Sequence, residues 1–213
     1  MPDLLQLSLY LAAALLLAVT PGPGIFYVAA RTLSGGRAEG IASSFGTGLG
    51  GMAHVLAGSL GVSAIVLASA ELFTLLKLVG AAYLVWIGIR TILSARREAA
   101  LVSGEPESLG ARRAFREGVL IEALNPKTAA FFLAFVPQFV DPANGHVALQ
   151  FVVLGSLSVL LNTLVDIAVA FAAHRIRSGA VARPKLIRRL REASGATMIA
   201  LGIGLMLAKR PVS

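Results

Sequence analysis

The chain has 213 residues, of which 56% are hydrophobic and 14% charged, and its mean hydropathy is +0.80. That is far more apolar material than one soluble core can bury, so the composition excludes an ordinary soluble domain and indicates an integral membrane protein. The absence of cysteine excludes disulfides, Cys-ligated zinc, iron–sulfur clusters and thiol chemistry, while the formal net charge of +8 has to be interpreted by position.

Apolar blocks occupy residues 4–30, 41–68, 72–93, 118–140, 147–173 and 193–208. About 20 helical residues cross a hydrocarbon layer, so the expectation is an all-α integral membrane fold of about six transmembrane helices. The first block has no basic segment in front of it and no small-x-small cleavage site, and is expected to be retained rather than removed as a signal peptide. Its end carries Thr20-Pro21-Gly22-Pro23-Gly24. A proline inside a helix lacks an N–H and crowds the carbonyl four residues back, so the first helix should break there.

The second block places Gly46, Gly48, Gly50, Gly51, Gly58 and Gly61 around His54. The Gly46-x-x-x-Gly50 spacing lets a neighbouring helix approach closely. His54 reads as a satisfied interior histidine, with a proton relay as the other reading. Lys77, near the start of the third block, can snorkel to the surface. Residues 94–117, rich in Arg, Glu, Ser and Gly, read as a cytoplasmic linker. The fourth block is broken at Asn125-Pro126-Lys127, with Glu122 three residues before Asn125 and on the same face. Glu122 lies close enough to the cytoplasmic end for simple hydration to be an alternative. In the fifth block Gly155, Ser158, Asn162 and Asp166 fall on one face and form a polar ridge directed into a bundle. Before the sixth block, Leu186, Ile187 and Leu190 among arginines allow either an interfacial or a solvated segment.

The basic residues lie in alternate connections: Arg31 and Arg37, then Arg90 to Arg116, then Arg175 to Arg191. The connections at Glu71 and at 141–146 have no Lys or Arg. The positive-inside rule therefore puts the three basic connections in the cytoplasm and both termini outside, with Lys209 and Arg210 as the exceptions. The positive charge is topogenic and faces anionic lipid, and a nucleic-acid partner is not expected.

The chain also repeats internally. Residues 18–27, Ala-Val-Thr-Pro-Gly-Pro-Gly-Ile-Phe-Tyr, align without a gap to residues 123–132, Ala-Leu-Asn-Pro-Lys-Thr-Ala-Ala-Phe-Phe. Gly80-Ala81 and Gly88-Ile89 correspond to Gly195-Ala196 and Gly202-Ile203 with a one-residue shift. The expectation is a single transporter domain over 1–213, with repeat one at 1–93, the linker at 94–117 and repeat two at 118–213. Each half would hold three spans, an odd number, so the second half would be inserted upside down, as in many secondary transporters.

Unwound backbone within a bilayer must line a cavity or be buried in protein, which marks both breaks as a binding region. Their free N–H groups suit a carboxylate and their freed carbonyls suit an ammonium, so Thr20, Pro21, Gly22, Pro23, Gly24, Asn125, Pro126, Lys127 and Asn162 are the candidate substrate-binding residues. Ordinary packing kinks are the alternative. Lys127 could meet a substrate carboxylate or neutralise Asp166 as a buried pair. Asp166 and Glu122 are the candidate proton-coupling groups.

Thr20-Pro21-Gly22-Pro23, Gly80-Ala81-Ala82-Tyr83-Leu84, Asn125-Pro126-Lys127 followed by Phe131-Phe132, Pro137-Gln138-Phe139 and Asp166 together resemble the lysine-exporter (LysE-type) translocator family, which includes homoserine/threonine exporters. The resemblance implies a multi-pass bacterial inner-membrane exporter of amino acids or their analogues, coupled to proton influx. One departure is Gly24, where the family pattern has Asn or Asp; it removes a polar side chain from the first break. The alternatives are a divalent-cation exporter of the same superfamily, for which carboxylate, thiolate and imidazole ligands are few, or a non-transporting membrane scaffold. No His-Glu-x-x-His, Gly-x-Ser-x-Gly or clustered aspartate motif supports an enzyme. No cofactor or resident metal is expected, the partners are a small-molecule substrate and lipid, and homo-oligomerisation is left open.

Overall fold

The computed structural model describes residues 4–68, 70–101, 108–176 and 184–207. Among them the chain is helical apart from short connections, with no strand. The elements are α1 (Leu4–Val19), α2 (Pro23–Ala68), α3 (Ala70–Leu101), α4 (Ala111–Ala123), α5 (Pro126–Ala130), a π-helical turn (Phe131–Phe135), two 3-10 turns (Val136–Phe139 and Pro142–Asn144), α6 (Val147–Ile176) and α7 (Pro184–Leu207).

Proline and a folded-back threonine end α1. The Thr20 N–H and hydroxyl both donate to the carbonyl of Leu16, the hydroxyl at 2.6 Å, and Pro21 has no N–H with which to continue the ladder. Pro23 then opens α2 at the first helical position, where a missing N–H costs nothing. The second break is built differently. Asn125 caps α5, its side-chain oxygen accepting the Lys127 N–H at 3.0 Å, and Pro126 occupies the first position of the new helix. The chain bends by 48° at the first break and 43° at the second.

Three stretches expected as connections are more helical than the sequence suggests. α2 runs through 31–40 with one non-helical residue, Gly36, at φ 79°, a positive-φ conformation that glycine adopts without strain. α3 continues to Leu101 and α4 begins at Ala111, so both ends of the 94–117 stretch are helix and Glu117 lies within α4. α7 starts at Pro184, although the side chains of Leu186, Ile187 and Leu190 lie outside the described residues, as do Lys209 and Arg210.

By length and composition Thr74–Ala95 and Val147–Arg175 can each cross a membrane, and each bent pair supplies one more candidate span, giving up to four; Gly195–Leu207 is a shorter apolar helix. The distribution of side chains is the reverse of a soluble protein's. Leu15, Leu16, Leu75, Leu160 and Leu164 are exposed, whereas Thr20, Glu122, Asn125, Lys127 and Asp166 are buried.

α2 packs against α4 and α6, and α3 packs mainly against α7. Glycine permits both kinds of contact. A Cβ at Gly46 or Gly50 would strike the carbonyls of Phe115 or Val119 on α4, and one at Gly195 would strike the Gly88 carbonyl on α3. α1 is held on α6 by Tyr10, whose hydroxyl donates to the Leu154 carbonyl at 2.7 Å and also bonds Ser158. The Tyr10 ring lies against Phe131, Phe135 and Phe139, so the aromatic run after the second break forms the core beside α1.

Candidate functional site

The two breaks meet. Lys127, buried on α5, reaches across to the first break and donates from Nζ to the carbonyls of Leu17 at 3.2 Å and Thr20 at 3.0 Å. The Leu17 carbonyl otherwise has only a share of the Thr20 N–H at 3.2 Å, and both carbonyls lie where α1 stops, so an ammonium from one break helps satisfy the backbone of the other. A Cβ on Gly22 would lie 2.9 Å from Lys127 Nζ, so a side chain there would make the lysine tip shift from the carbonyls it bonds.

Glu122 is the second centre of the site. It is 4% exposed, so the hydrated position considered from its place in the sequence does not hold. One carboxylate oxygen accepts from Thr128 Oγ1 at 2.6 Å and the other from Asn125 Nδ2 at 2.9 Å. Its backbone carbonyl lies 2.9 Å from His54 Nε2, and the His54 ring stacks on Phe132. Gly24 belongs to this centre too, because a Cβ there would sit 2.8 Å from Glu122 Oε2. The missing side chain at position 24 leaves room for a carboxylate that arrives from α4.

Asp166 is fully buried on α6. Its Oδ2 accepts from Thr47 Oγ1 at 2.7 Å and Asn162 Nδ2 at 3.3 Å, while Oδ1 has no hydrogen-bond partner. Among the described residues no ion pair within 4.0 Å joins Asp166 to Lys127, so the buried-pair alternative for Lys127 is replaced by its bonds to backbone carbonyls. Lys77 is 9% exposed, and therefore is packed inside the protein rather than extended to the surface.

Two spaces adjoin these groups. A cavity of about 630 Å³ touches Pro21, Gly22 and Pro23 of the first break, Asn125, Pro126 and Lys127 of the second, and Tyr83, Trp86 and Arg90 of α3. A separate void of about 20 Å³, room for one water, touches Glu122, Thr128, Thr47, Ser158 and Asn162. The expected binding residues thus divide. Six line the large cavity, Asn162 lines the small void, Gly24 abuts Glu122, and Thr20 turns its hydroxyl back onto α1.

Sequence reasoning did not single out Thr47, Thr128, Trp86 or Arg90 as site residues. Thr128 carries a readable signal, a hydroxyl two residues beyond the proline of the second break. Trp86 and Arg90 have only their i, i+4 spacing, which brings the guanidinium over the indole at 5.0 Å.

Apolar helices with buried charge at two facing breaks define a multi-pass membrane protein of the translocator class. The chain belongs to the LysE-type translocator family, whose model matches residues 15–209. It is 30% identical over 202 residues to the homoserine/homoserine lactone efflux protein of Salmonella typhimurium, covering 94% of this chain and 95% of the relative. It is also 32% identical over 201 residues to an uncharacterized membrane protein of Vibrio cholerae, covering 94% and 96%. No solved structure gives a significant match.

Proposed function

We propose that this chain is a secondary transporter that exports amino acids or close analogues across the bacterial inner membrane by proton antiport. The observation that carries the reading is the Lys127 bridge, which brings both helix breaks to one cavity. The efflux named for the Salmonella relatives supports the substrate class.

In this reading six spans form two inverted halves, with both termini outside. The antiparallel α3–α7 contact supports it. Gly88 meets Gly195 and Ala81 meets Gly202, so each contact is the counterpart of the other under the repeat, in which Gly88 corresponds to Gly202 and Gly80-Ala81 to Gly195-Ala196. The cavity lies where α3 faces the breaks, so rocking of the α3–α7 pair against α2, α4 and α6 would expose the site to alternate sides. Asp166 and Glu122 carry the exchanged proton, each close to hydroxyl or amide groups that can stabilise either protonation state.

Proteoliposomes containing the purified chain test this directly. An imposed pH gradient should drive amino-acid movement and a protonophore should stop it. If no amino acid in a broad panel moves, the exporter reading fails; if movement persists unchanged without the gradient, proton coupling fails.

A further inference from the structure

The void beside Glu122 is small, polar and connected to both candidate proton carriers. It measures about 20 Å³ and is lined by Glu122, Thr128, Thr47, Ser158 and Asn162. That is the room and the number of polar partners that a single buried water requires. Two of the lining residues also reach the other carboxylate: Asp166 Oδ2 accepts from Thr47 Oγ1 at 2.7 Å and from Asn162 Nδ2 at 3.3 Å. Glycine makes this convergence possible. Gly46 and Gly50, on either side of Thr47, let α4 pack directly on α2, and a Cβ at Gly50 would lie 2.9 Å from that of Glu122.

Resting on the proton-antiport reading, we infer that the void binds one water, and that this water and Thr47 pass a proton between Glu122 and Asp166, making the two carboxylates a single carrier. Glu122 gives its proton to the water, the water gives one of its own to Thr47 Oγ1, and the Thr47 hydroxyl proton goes to Asp166 Oδ2. One proton moves, the water and the hydroxyl are regenerated, and the return path uses the same atoms. Asp166 Oδ1 is buried without a hydrogen-bond partner, so no donor on that oxygen opposes the arriving proton. The Glu122 end is tied to the large cavity by Asn125, which lines that cavity and donates to Glu122 Oε2. The other titratable groups around the void are engaged elsewhere: Lys127 with the Leu17 and Thr20 carbonyls, His54 with the Glu122 carbonyl, and Tyr10 with Ser158 and the Leu154 carbonyl. Glu122, Thr47 and Asp166 all belong to the packed group α2, α4 and α6. The relay therefore keeps its geometry while the α3–α7 pair rocks.

The test compares two variants of Thr47 in proteoliposomes holding the full chain. Thr47→Val should slow amino-acid movement driven by a pH gradient by about ten-fold or more, whereas Thr47→Ser, which keeps the hydroxyl, should stay within about three-fold of wild type. If Thr47→Val transports like wild type, the hydroxyl carries no proton and the inference is overturned. Equal losses in both variants assign Thr47 a packing role and overturn it as well. A second readout needs neither transport nor a variant. Infrared difference spectra of the wild-type protein between low and high pH should show a carboxyl C=O band changing together with an internal-water O–H band, the latter shifting when the water carries a heavy oxygen isotope. Absence of either band overturns the inference. If no amino acid moves in wild-type proteoliposomes, the exporter reading has failed by itself, while the water and the shared proton stand or fall on the infrared spectra.

Discussion

Lys127 and Gly24 show how a single position carries more than its own chemistry. Lys127→Ala removes a charge, takes the ammonium from the Thr20 carbonyl and leaves the Leu17 carbonyl only its share of the Thr20 N–H, a loss of about 1–3 kcal/mol for a buried group. Transport should fall at least ten-fold, measured as uptake into proteoliposomes, with a lower melting temperature in detergent. Gly24→Ala places a methyl 2.8 Å from a carboxylate oxygen of a side chain that Asn125 and Thr128 hold in place. It should impair transport, whereas Gly61→Ala, with nothing within 4 Å of its Cβ, should leave transport and stability close to wild type. The Gly24 contact joins residues far apart in the chain, and no local pattern could show it.

Among the helices, the ends were legible and the contacts were not. Pro21, Pro23 and Pro126 specify where helices stop because proline acts on its own backbone. Asn125→Ala should cost about 1 kcal/mol through the lost cap, visible as a shift in thermal unfolding, and should also release Glu122 Oε2. The glycines of α3 and α7 are visible as a pattern, but their meeting depends on how those helices are brought together. Gly195→Val would force its side chain onto the Gly88 carbonyl, which is backbone and cannot yield. We expect a loss of stability of more than about 2 kcal/mol, measured by thermal unfolding in detergent. The helical course through 31–40 escaped the sequence reading because Arg31, Ser34, Gly35, Gly36 and Arg37 look like a loop. In the folded chain Glu39 anchors that region, accepting from Ser108 Oγ at 2.6 Å and the Gly110 N–H at 2.7 Å.

For the protein as a whole, orientation is the claim most open to a direct test. The chain has no cysteine, so a single introduced thiol reports its own side. In intact cells with the outer membrane permeabilised, a membrane-impermeant maleimide should label Asn144→Cys directly. Arg112→Cys should react only after the inner membrane is opened. The opposite pattern would reverse the proposed topology and the direction in which the cavity opens.

Hydrophobic length, proline geometry and the cost of buried charge are local properties, so the order of amino acids was enough to specify the membrane class, the positions of both breaks and the residues worth suspecting. What those residues do to one another required the folded chain. It placed Lys127 on the carbonyls of the first break, sealed Glu122 between Thr128, Asn125 and Gly24, left Asp166 apart from Lys127, and brought Trp86 and Arg90 to the cavity. Most of those contacts join residues distant in the chain, and their geometry is set by how closely the helices can approach.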